Sequence, residues 1–200
     1  GQCCKGLYNL IIMPDSPLIA TKTYIQPIQP DLVARPRLHS MLDRGAQLPL
    51  ILVSAPPGFG KTLLVVDWIH SQNKTRIAWL SLDESDNDPV HFLQYFITAL
   101  QKIVPNAGTD LPSLSQGARP ASLDTQMNLL INEIALHTAP FVLVLDDFHL
   151  IHSQPILEML TFLLEHIPPQ MHLALLSRTD PPLPLSRLRA RDQIVDIRAD

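Results

Sequence analysis

Apolar positions along the chain follow two spacings, namely short continuous runs and stripes that recur every three or four residues. Continuous runs are typical of strands that are covered on both faces of a parallel sheet. Spaced stripes are typical of half-buried helices. The runs predict strands over Leu50–Ser54, Ile77–Leu82, Phe141–Leu145, His172–Ser177 and Ile194–Ile197.

The stripes predict helices between those strands. In the clearest case Pro89 opens a helix in which Phe92, Phe96 and Leu100 repeat at four-residue spacing, and Pro is favoured in a first helical turn. Alternating strands and helices predict an α/β fold whose parallel strands are joined by right-handed crossovers. The other predicted helices are Arg37–Arg44, Thr62–Ser71, Leu123–His137 and Pro155–Ile167, with a loop over residues 105–120.

Composition excludes several classes of function. The chain has 200 residues, which suits one α/β domain, and its net charge of −4 provides no basic surface for nucleic acid. No apolar run approaches the roughly 18 residues that cross a bilayer. The two cysteines, Cys3 and Cys4, are adjacent and fit neither a disulfide framework nor a metal site. We therefore expect a cytoplasmic protein without membrane or DNA contacts of this chain.

The two ends of the chain lack regular patterns. Residues 1–12 show no sustained periodicity, and we interpret residues 1–22 as a leader that is disordered or a remnant, with residues 23–200 as the folded domain. The chain stops three residues after the predicted strand Ile194–Ile197. This pattern predicts a core that is truncated at its C-terminus.

The segment Ala55–Thr62, with sequence APPGFGKT, lies between a predicted strand and a predicted helix. Gly58 and Gly60 can adopt the positive φ that lets successive backbone N–H groups converge on a phosphate. Lys61 would neutralise the outer phosphates, Thr62 would ligate Mg²⁺, and the helix N-terminus would add partial positive charge. Ala55 replaces the first Gly of the strict pattern, but the context favours a phosphate-binding loop over an unrelated Pro-rich turn. The nucleotide-binding segment comprises Pro57, Gly58, Phe59, Gly60, Lys61, Thr62 and Leu63.

Asp146 and Asp147 follow the predicted strand Phe141–Leu145, 85 residues beyond Lys61. In a parallel sheet the carboxyl end of this strand lies at the same edge as the phosphate loop, so Asp146 is the candidate partner of Mg²⁺. Asp147 would orient or deprotonate an attacking water, although Glu is more usual where hydrolysis is efficient. The alternative is that both aspartates only cap the following turn.

Arg178 follows the predicted strand His172–Ser177 and is a candidate contact for a γ-phosphate. The alternative is a surface ion pair with Asp180.

Other residues with reactive, aromatic or charged side chains are interpreted as structural or solvent-exposed rather than as functional. We interpret the histidines after Asp147 as satisfied or solvent-facing rather than as metal ligands, and the tryptophans as core residues. The acidic turn after the second strand is interpreted as solvated, with a role in placing water as the alternative. The alternating arginines near the C-terminus fit a solvated strand edge better than a finger that faces a second copy. These residues are His149 and His152, Trp68 and Trp79, Asp83, Glu84, Asp86 and Asp88, and Arg187, Arg189 and Arg191.

Five segments together resemble one family, the N-terminal ATPase module of large LuxR-type transcriptional regulators like the maltose-regulon activator, a branch of the STAND signalling ATPases. The resemblance extends from residue 21 to residue 200. Its segments are TKTYIQP…LVARPRL (21–38), SAPPGFGKT (54–62), WLSLDESDNDP (79–89), LVLDDFHLI (143–151) and LLSRTDPPLPLSRLRARDQ (175–193).

The resemblance implies a three-layer P-loop NTPase sandwich whose five parallel strands have the order 5-1-4-3-2. This order would bring Arg178 toward the nucleotide. It also implies that Val33 and Arg35 line the adenine pocket, that the ligands are ATP or ADP with Mg²⁺, and that catalysis involves Lys61, Asp146, Asp147 and Arg178.

In such relatives ATP favours a self-associating state and ADP a resting monomer, and DNA is bound by a domain that is absent from these 200 residues. We therefore expect a nucleotide-dependent switch for self-association with weak ATPase activity. The alternatives are a nucleotide-binding fragment without measurable hydrolysis and an unstable gene fragment.

Overall fold

The computed structural model of the chain describes residues 18–27, 33, 35–71, 75–109, 111 and 123–199. The first 17 residues of the expected leader, which include Cys3 and Cys4, lie outside the described residues, as do residues 110 and 112–120 of the predicted loop. Residues 18–22 were assigned to the leader from the sequence. In the structure they lead into a short 3-10 helix (Ala20–Thr23), and Lys22 in this helix is buried against the domain.

Five parallel strands form one sheet, and their order confirms the expected 5-1-4-3-2 arrangement. β1 pairs with β4 so that Ser54 lies opposite Ser177, and β2 pairs with β3 so that Ser81 lies opposite Asp146. The carboxyl ends of β1, β3 and β4 therefore meet at one edge. The strands are β1 (Leu50–Ser54), β2 (Arg76–Ser81), β3 (Phe141–Asp146), β4 (Met171–Ser177) and β5 (Ile194–Arg198).

Helices cover both faces of the sheet and make three layers, as expected. Alternate residues of β1 point to opposite faces, so Leu50 and Leu52 join the core under α3, α4 and α5, whereas Ile51 and Val53 join the core under α1 and α2. The helices are α1 (Pro36–Gly45), α2 (Lys61–Ser71), α3 (Pro89–Gln101), α4 (Leu123–Ala135), α5 (Gln154–Glu165) and α6 (Leu185–Ala190).

The predicted strands and long helices agree with the structure to within two residues at each end. Trp68 and Trp79 are each only 1% exposed and belong to the core under α1 and α2, which confirms their interpretation as core residues. Among the described residues no helix is long and apolar enough to cross a membrane.

The strand-edge interpretation of the three arginines is wrong, because Arg187 and Arg189 lie on helix α6. Leu185 and Leu188 share one helical face and are buried, which leaves the arginines on the opposite, exposed face. The sequence RLRAR alternates like a strand, but a helix of only six residues gives too short a window for its period to be visible.

The acidic turn is exposed at Asp83, Glu84 and Asp88, as interpreted, but Asp86 is fully buried. Lys22 donates hydrogen bonds to both carboxylate oxygens of Asp86, at 2.7 and 2.8 Å, and its Nζ lies 2.8 Å from Asp83. Burial alone would lower the pKa of Lys22, but these two carboxylates outweigh it and raise the pKa. The turn therefore binds the segment before α1 to the carboxyl end of β2.

Candidate nucleotide-binding site

The loop between β1 and α2 has the backbone conformation that the sequence predicts for a phosphate loop. Gly58 and Gly60 have φ values of 82° and 73°, in the left-handed region that favours glycine. α2 begins at Lys61, and its first turn is closed by the bond from Leu64 N–H to Gly60 O at 2.8 Å. The loop thus leads directly into a helix N-terminus, where unpaired N–H groups favour an anion.

Lys61 lies over its own loop. Its Nζ donates hydrogen bonds to the carbonyl oxygens of Ala55, at 2.8 Å, and Pro56, at 3.3 Å. The ammonium therefore lies at the turn of the loop and places a positive charge beside the glycines.

Thr62 and Asp146 come together across the sheet edge. The Thr62 hydroxyl donates to both carboxylate oxygens of Asp146, at 3.0 and 3.2 Å. Burial, with the charge of Asp147 adding to it, raises the pKa of Asp146 to about 6. A hydroxyl and a carboxylate are oxygen ligands of the kind that Mg²⁺ takes, and a cation here would offset the cost of burying the carboxylate. The residues present therefore fit the expected metal.

Asp147 begins the turn that follows β3. Its φ is 57°, in the left-handed region that Asp tolerates, and its backbone N–H donates to Asp146 Oδ1 at 2.9 Å. The Asp147 side chain makes no capping bond to the 3-10 helix Phe148–Leu150 that follows. It is about half exposed, at 48%. The two neighbouring carboxylates thus have different environments, one buried against Thr62 and one open to solvent.

His149 was interpreted as satisfied or solvent-facing, and this is wrong. Its side chain is 11% exposed, and neither ring nitrogen has a hydrogen-bond partner among the residues that the structure describes. Nδ1 lies 3.9 Å from Asp147 Oδ1. Burial and the positive charge of Arg178 lower the pKa of His149, so it is neutral at pH 7. The spacing from Asp147 was visible in the sequence, but the burial of the ring was not.

Arg178 follows β4 and is exposed. β4 lies between β1 and β3, so Arg178 leaves the sheet between the phosphate loop and Asp146. Among the described residues it has no ion-pair partner. The alternative pairing with Asp180 is wrong, because Asp180 pairs with Arg189 and Arg198.

The segment before α1 reaches the phosphate loop through Arg35. A Cβ added to Gly60 would lie 3.8 and 3.9 Å from the two terminal guanidinium nitrogens of Arg35. Val33 is 79% exposed and Phe59 is 52% exposed, while Leu63 is half-buried in α2. The structure therefore brings Arg35, the loop, Thr62 and Asp146 to one sheet edge and leaves Val33 open to solvent.

This sheet, with a glycine-containing loop between β1 and α2 and a carboxylate at the end of β3, defines a P-loop NTPase fold. The AAA ATPase domain family matches residues 35–176, and the chain belongs to that family.

Curated relatives point to the same module as the sequence resemblance. The chain is 42% identical over 165 residues to the HTH-type transcriptional regulator MalT of Serratia proteamaculans and 34% identical over 165 residues to MalT of Vibrio cholerae. Each match covers 82% of this chain but 18% of the relative. The chain therefore spans less than a fifth of the length of these relatives.

Among solved structures, the crystal structure of Cdc6p from Pyrobaculum aerophilum is similar, with a TM-score of 0.55 at 16% sequence identity. The match covers 86% of this chain and 46% of that one. At this identity the likeness supports the fold alone.

Proposed function

We propose that this chain binds ATP and ADP at the carboxyl edge of its sheet and hydrolyses ATP slowly, as the nucleotide switch of a larger transcriptional regulator. The observation that carries the proposal is the contact between Thr62 and Asp146 beside the phosphate loop. A hydroxyl from the loop's helix and a carboxylate at the end of a neighbouring strand are the two side-chain oxygen groups that hold the nucleotide's Mg²⁺ in P-loop NTPases.

Binding is assigned to the loop and its neighbours. The N–H groups of residues 58–62 and the first turn of α2 would hold the phosphates, since prolines 56 and 57 have no N–H to donate. Lys61 would leave the carbonyl oxygens of Ala55 and Pro56 to contact the outer phosphates. The resemblance implies that Arg35 lines the adenine pocket. We assign it instead to the phosphate side of the nucleotide, because its guanidinium lies beside Gly60, and we keep Val33 at the base.

Hydrolysis is assigned to the residues around β3 and β4. Thr62 and Asp146 would hold Mg²⁺, which neutralises charge on the phosphate oxygens when it is bound. The exposed carboxylate of Asp147 would orient a water and accept its proton as the water oxygen attacks the γ-phosphorus and ADP leaves. His149 lies beside this carboxylate, with Nδ1 3.9 Å from Asp147 Oδ1. Arg178 would stabilise the charge on the γ-phosphate.

The switch belongs to the longer protein. The relatives from Serratia and Vibrio are named as HTH-type transcriptional regulators, so we assign the chain to their ATPase module, with a cytoplasmic location. By resemblance to STAND and LuxR-type regulators, ATP would favour self-association and turnover would return the resting ADP state. DNA contact is assigned to parts of the protein beyond this chain.

Calorimetric titration tests the proposal, with ATP and with ADP, each with and without Mg²⁺. The substitution Lys61→Ala should abolish binding of both nucleotides, whereas Lys102→Ala, at an exposed lysine that lies over Tyr24, should leave it unchanged. Binding without phosphate release would favour a module that holds nucleotide without turnover. A folded chain that binds neither nucleotide would overturn the proposal.

A further inference from the structure

Four charged side chains form a network beside the loop that carries Arg178. Arg189 donates to both carboxylate oxygens of Asp196, at 2.8 and 3.0 Å. Arg198 donates to Asp180 at 2.9 Å and to Asp196 at 3.3 Å, and Arg189 also reaches Asp180, at 3.4 Å. The network therefore links the loop after β4 to helix α6 and to the end of β5.

Arg178 is the arginine nearest to Asp180 in sequence and could pair with it if this network were absent. Asp180 lies two residues after Arg178, and two residues span at most about 7 Å of chain, which the long side chain of Arg178 can bridge. Instead, both arginines of the network bind Asp180, and Arg178 has no ion-pair partner among the residues that the structure describes. Hydrogen bonds from Arg198 and Arg189 also lower the pKa of Asp180 and keep it charged.

A single exposed ion pair would hold Asp180 weakly. This network is stronger because the paired N–H bonds from Arg189 to Asp196 fix one arginine in a planar, two-point contact. Arg198 is anchored by two carboxylates and by its place at the end of β5.

We propose that Arg198, with Arg189, holds Asp180 away from Arg178 and so keeps Arg178 available for the γ-phosphate of ATP. This inference rests on the proposed role of Arg178 in nucleotide binding. Asp180 and Arg198 are positioning residues, since they act on the nucleotide only through Arg178.

The test measures ATP and ADP affinities in the presence of Mg²⁺ for the 200-residue chain and its variants. Arg198→Gln should weaken ATP binding about fivefold, the size expected of coupling between neighbouring charges, because the released Asp180 competes for Arg178. ADP affinity should be unchanged, since ADP has no γ-phosphate. Asp180→Asn alone should keep the parent ATP affinity, and Asp180→Asn combined with Arg198→Gln should restore it.

A matched control is Arg187→Gln, which removes an exposed arginine of α6 that pairs with Glu165, a residue outside the network. It should leave both affinities unchanged, and thermal unfolding of each variant checks that it is folded. If Asp180→Asn weakens ATP binding as much as Arg198→Gln does, the network only anchors the loop and the inference is overturned. An unchanged Arg198→Gln protein, or a double variant that stays weak, also overturns it.

Arg178→Ala separates this inference from the proposed function. If Arg178→Ala weakens ATP relative to ADP while Arg198→Gln does not, the positioning role alone fails. If Arg178→Ala leaves the preference between ATP and ADP unchanged, the γ-phosphate contact fails and the positioning role fails with it.

Discussion

Thr62 donates a hydrogen bond to the carboxylate of Asp146 at 3.0 Å, although 84 residues separate the two in sequence. The register of the sheet produces this contact. β4 lies between β1 and β3 in the sheet. The loop after β1 leads into α2, and the first turn of α2 brings Thr62 across the end of β4 to Asp146 on β3. The two residues meet only because three strands end at the same level.

We expect Thr62→Val to weaken the dependence of nucleotide affinity on Mg²⁺. Valine keeps the shape of threonine but lacks the hydroxyl, so one of two oxygen ligands is lost. The gain in ATP affinity on adding Mg²⁺ should fall about tenfold, in line with the loss of a hydrogen bond to a charged group. Calorimetric titration with and without Mg²⁺ measures it.

The control for this change is Thr98→Val in α3, where the hydroxyl donates to Gln94 O within its own helix. Thr98→Val should titrate like the parent. A Thr62→Val protein that keeps the full Mg²⁺ effect would show that Thr62 is not a ligand.

Asp147→Asn should preserve nucleotide binding and abolish most turnover. Asn tolerates the left-handed conformation of this position as well as Asp does, so the backbone should not change. An amide cannot accept the proton of an attacking water, and loss of such a base slows reactions about 100-fold or more. Timed release of phosphate from ATP measures the effect.

Asp192→Asn provides the matched control, because Asp192 also has positive φ, at 54°, and is exposed. It should release phosphate at the parent rate. Parent-like turnover in Asp147→Asn would remove Asp147 from the mechanism.

Lys22→Met should lower the free energy of unfolding by about 3 kcal/mol, because it leaves the fully buried carboxylate of Asp86 without its cation. Lys102→Met changes an exposed lysine near the same surface and should shift the free energy by less than about 0.5 kcal/mol. Urea unfolding compares the two. Equal effects would mean that the pair between Lys22 and Asp86 does not hold residues 18–27 on the domain.

Acid should lower the free energy of unfolding of the domain, in part because Asp83 becomes protonated. Partial burial acts to raise the pKa of Asp83, but hydrogen bonds from Lys22 and Ser85 outweigh it and lower the pKa to about 2. A carboxyl with a depressed folded pKa stabilises the fold above its unfolded value of 3.8 and loses this contribution as pH falls toward 2. Asp83→Asn should therefore flatten the decrease in stability over this range.

Urea midpoints across the same pH range check this prediction. Glu84→Gln, which changes an exposed carboxyl one residue along the chain, should keep the slope of the parent. A slope in Asp83→Asn as steep as the parent's would show that Asp83 does not contribute.

Local sequence patterns were enough to predict most of the secondary structure and the chemistry of the candidate site. Apolar runs such as Phe141–Leu145 and stripes such as Phe92, Phe96 and Leu100 are local patterns that depend on neighbours a few residues away. The glycines and Lys61 of the phosphate loop are equally local, because their conformation follows from residue type and from the strand and helix on either side.

Which charged side chains pair depends on the fold and not on local sequence patterns. Asp180 pairs with Arg189 and Arg198 rather than with nearby Arg178, and Asp86 is buried under Lys22 rather than solvated. These outcomes depend on residues about 10 to 60 positions apart that strand order and helix packing bring together, and composition carries no signal of such contacts. The same holds for His149, whose burial beside Asp147 follows from the layers around β3 and β4.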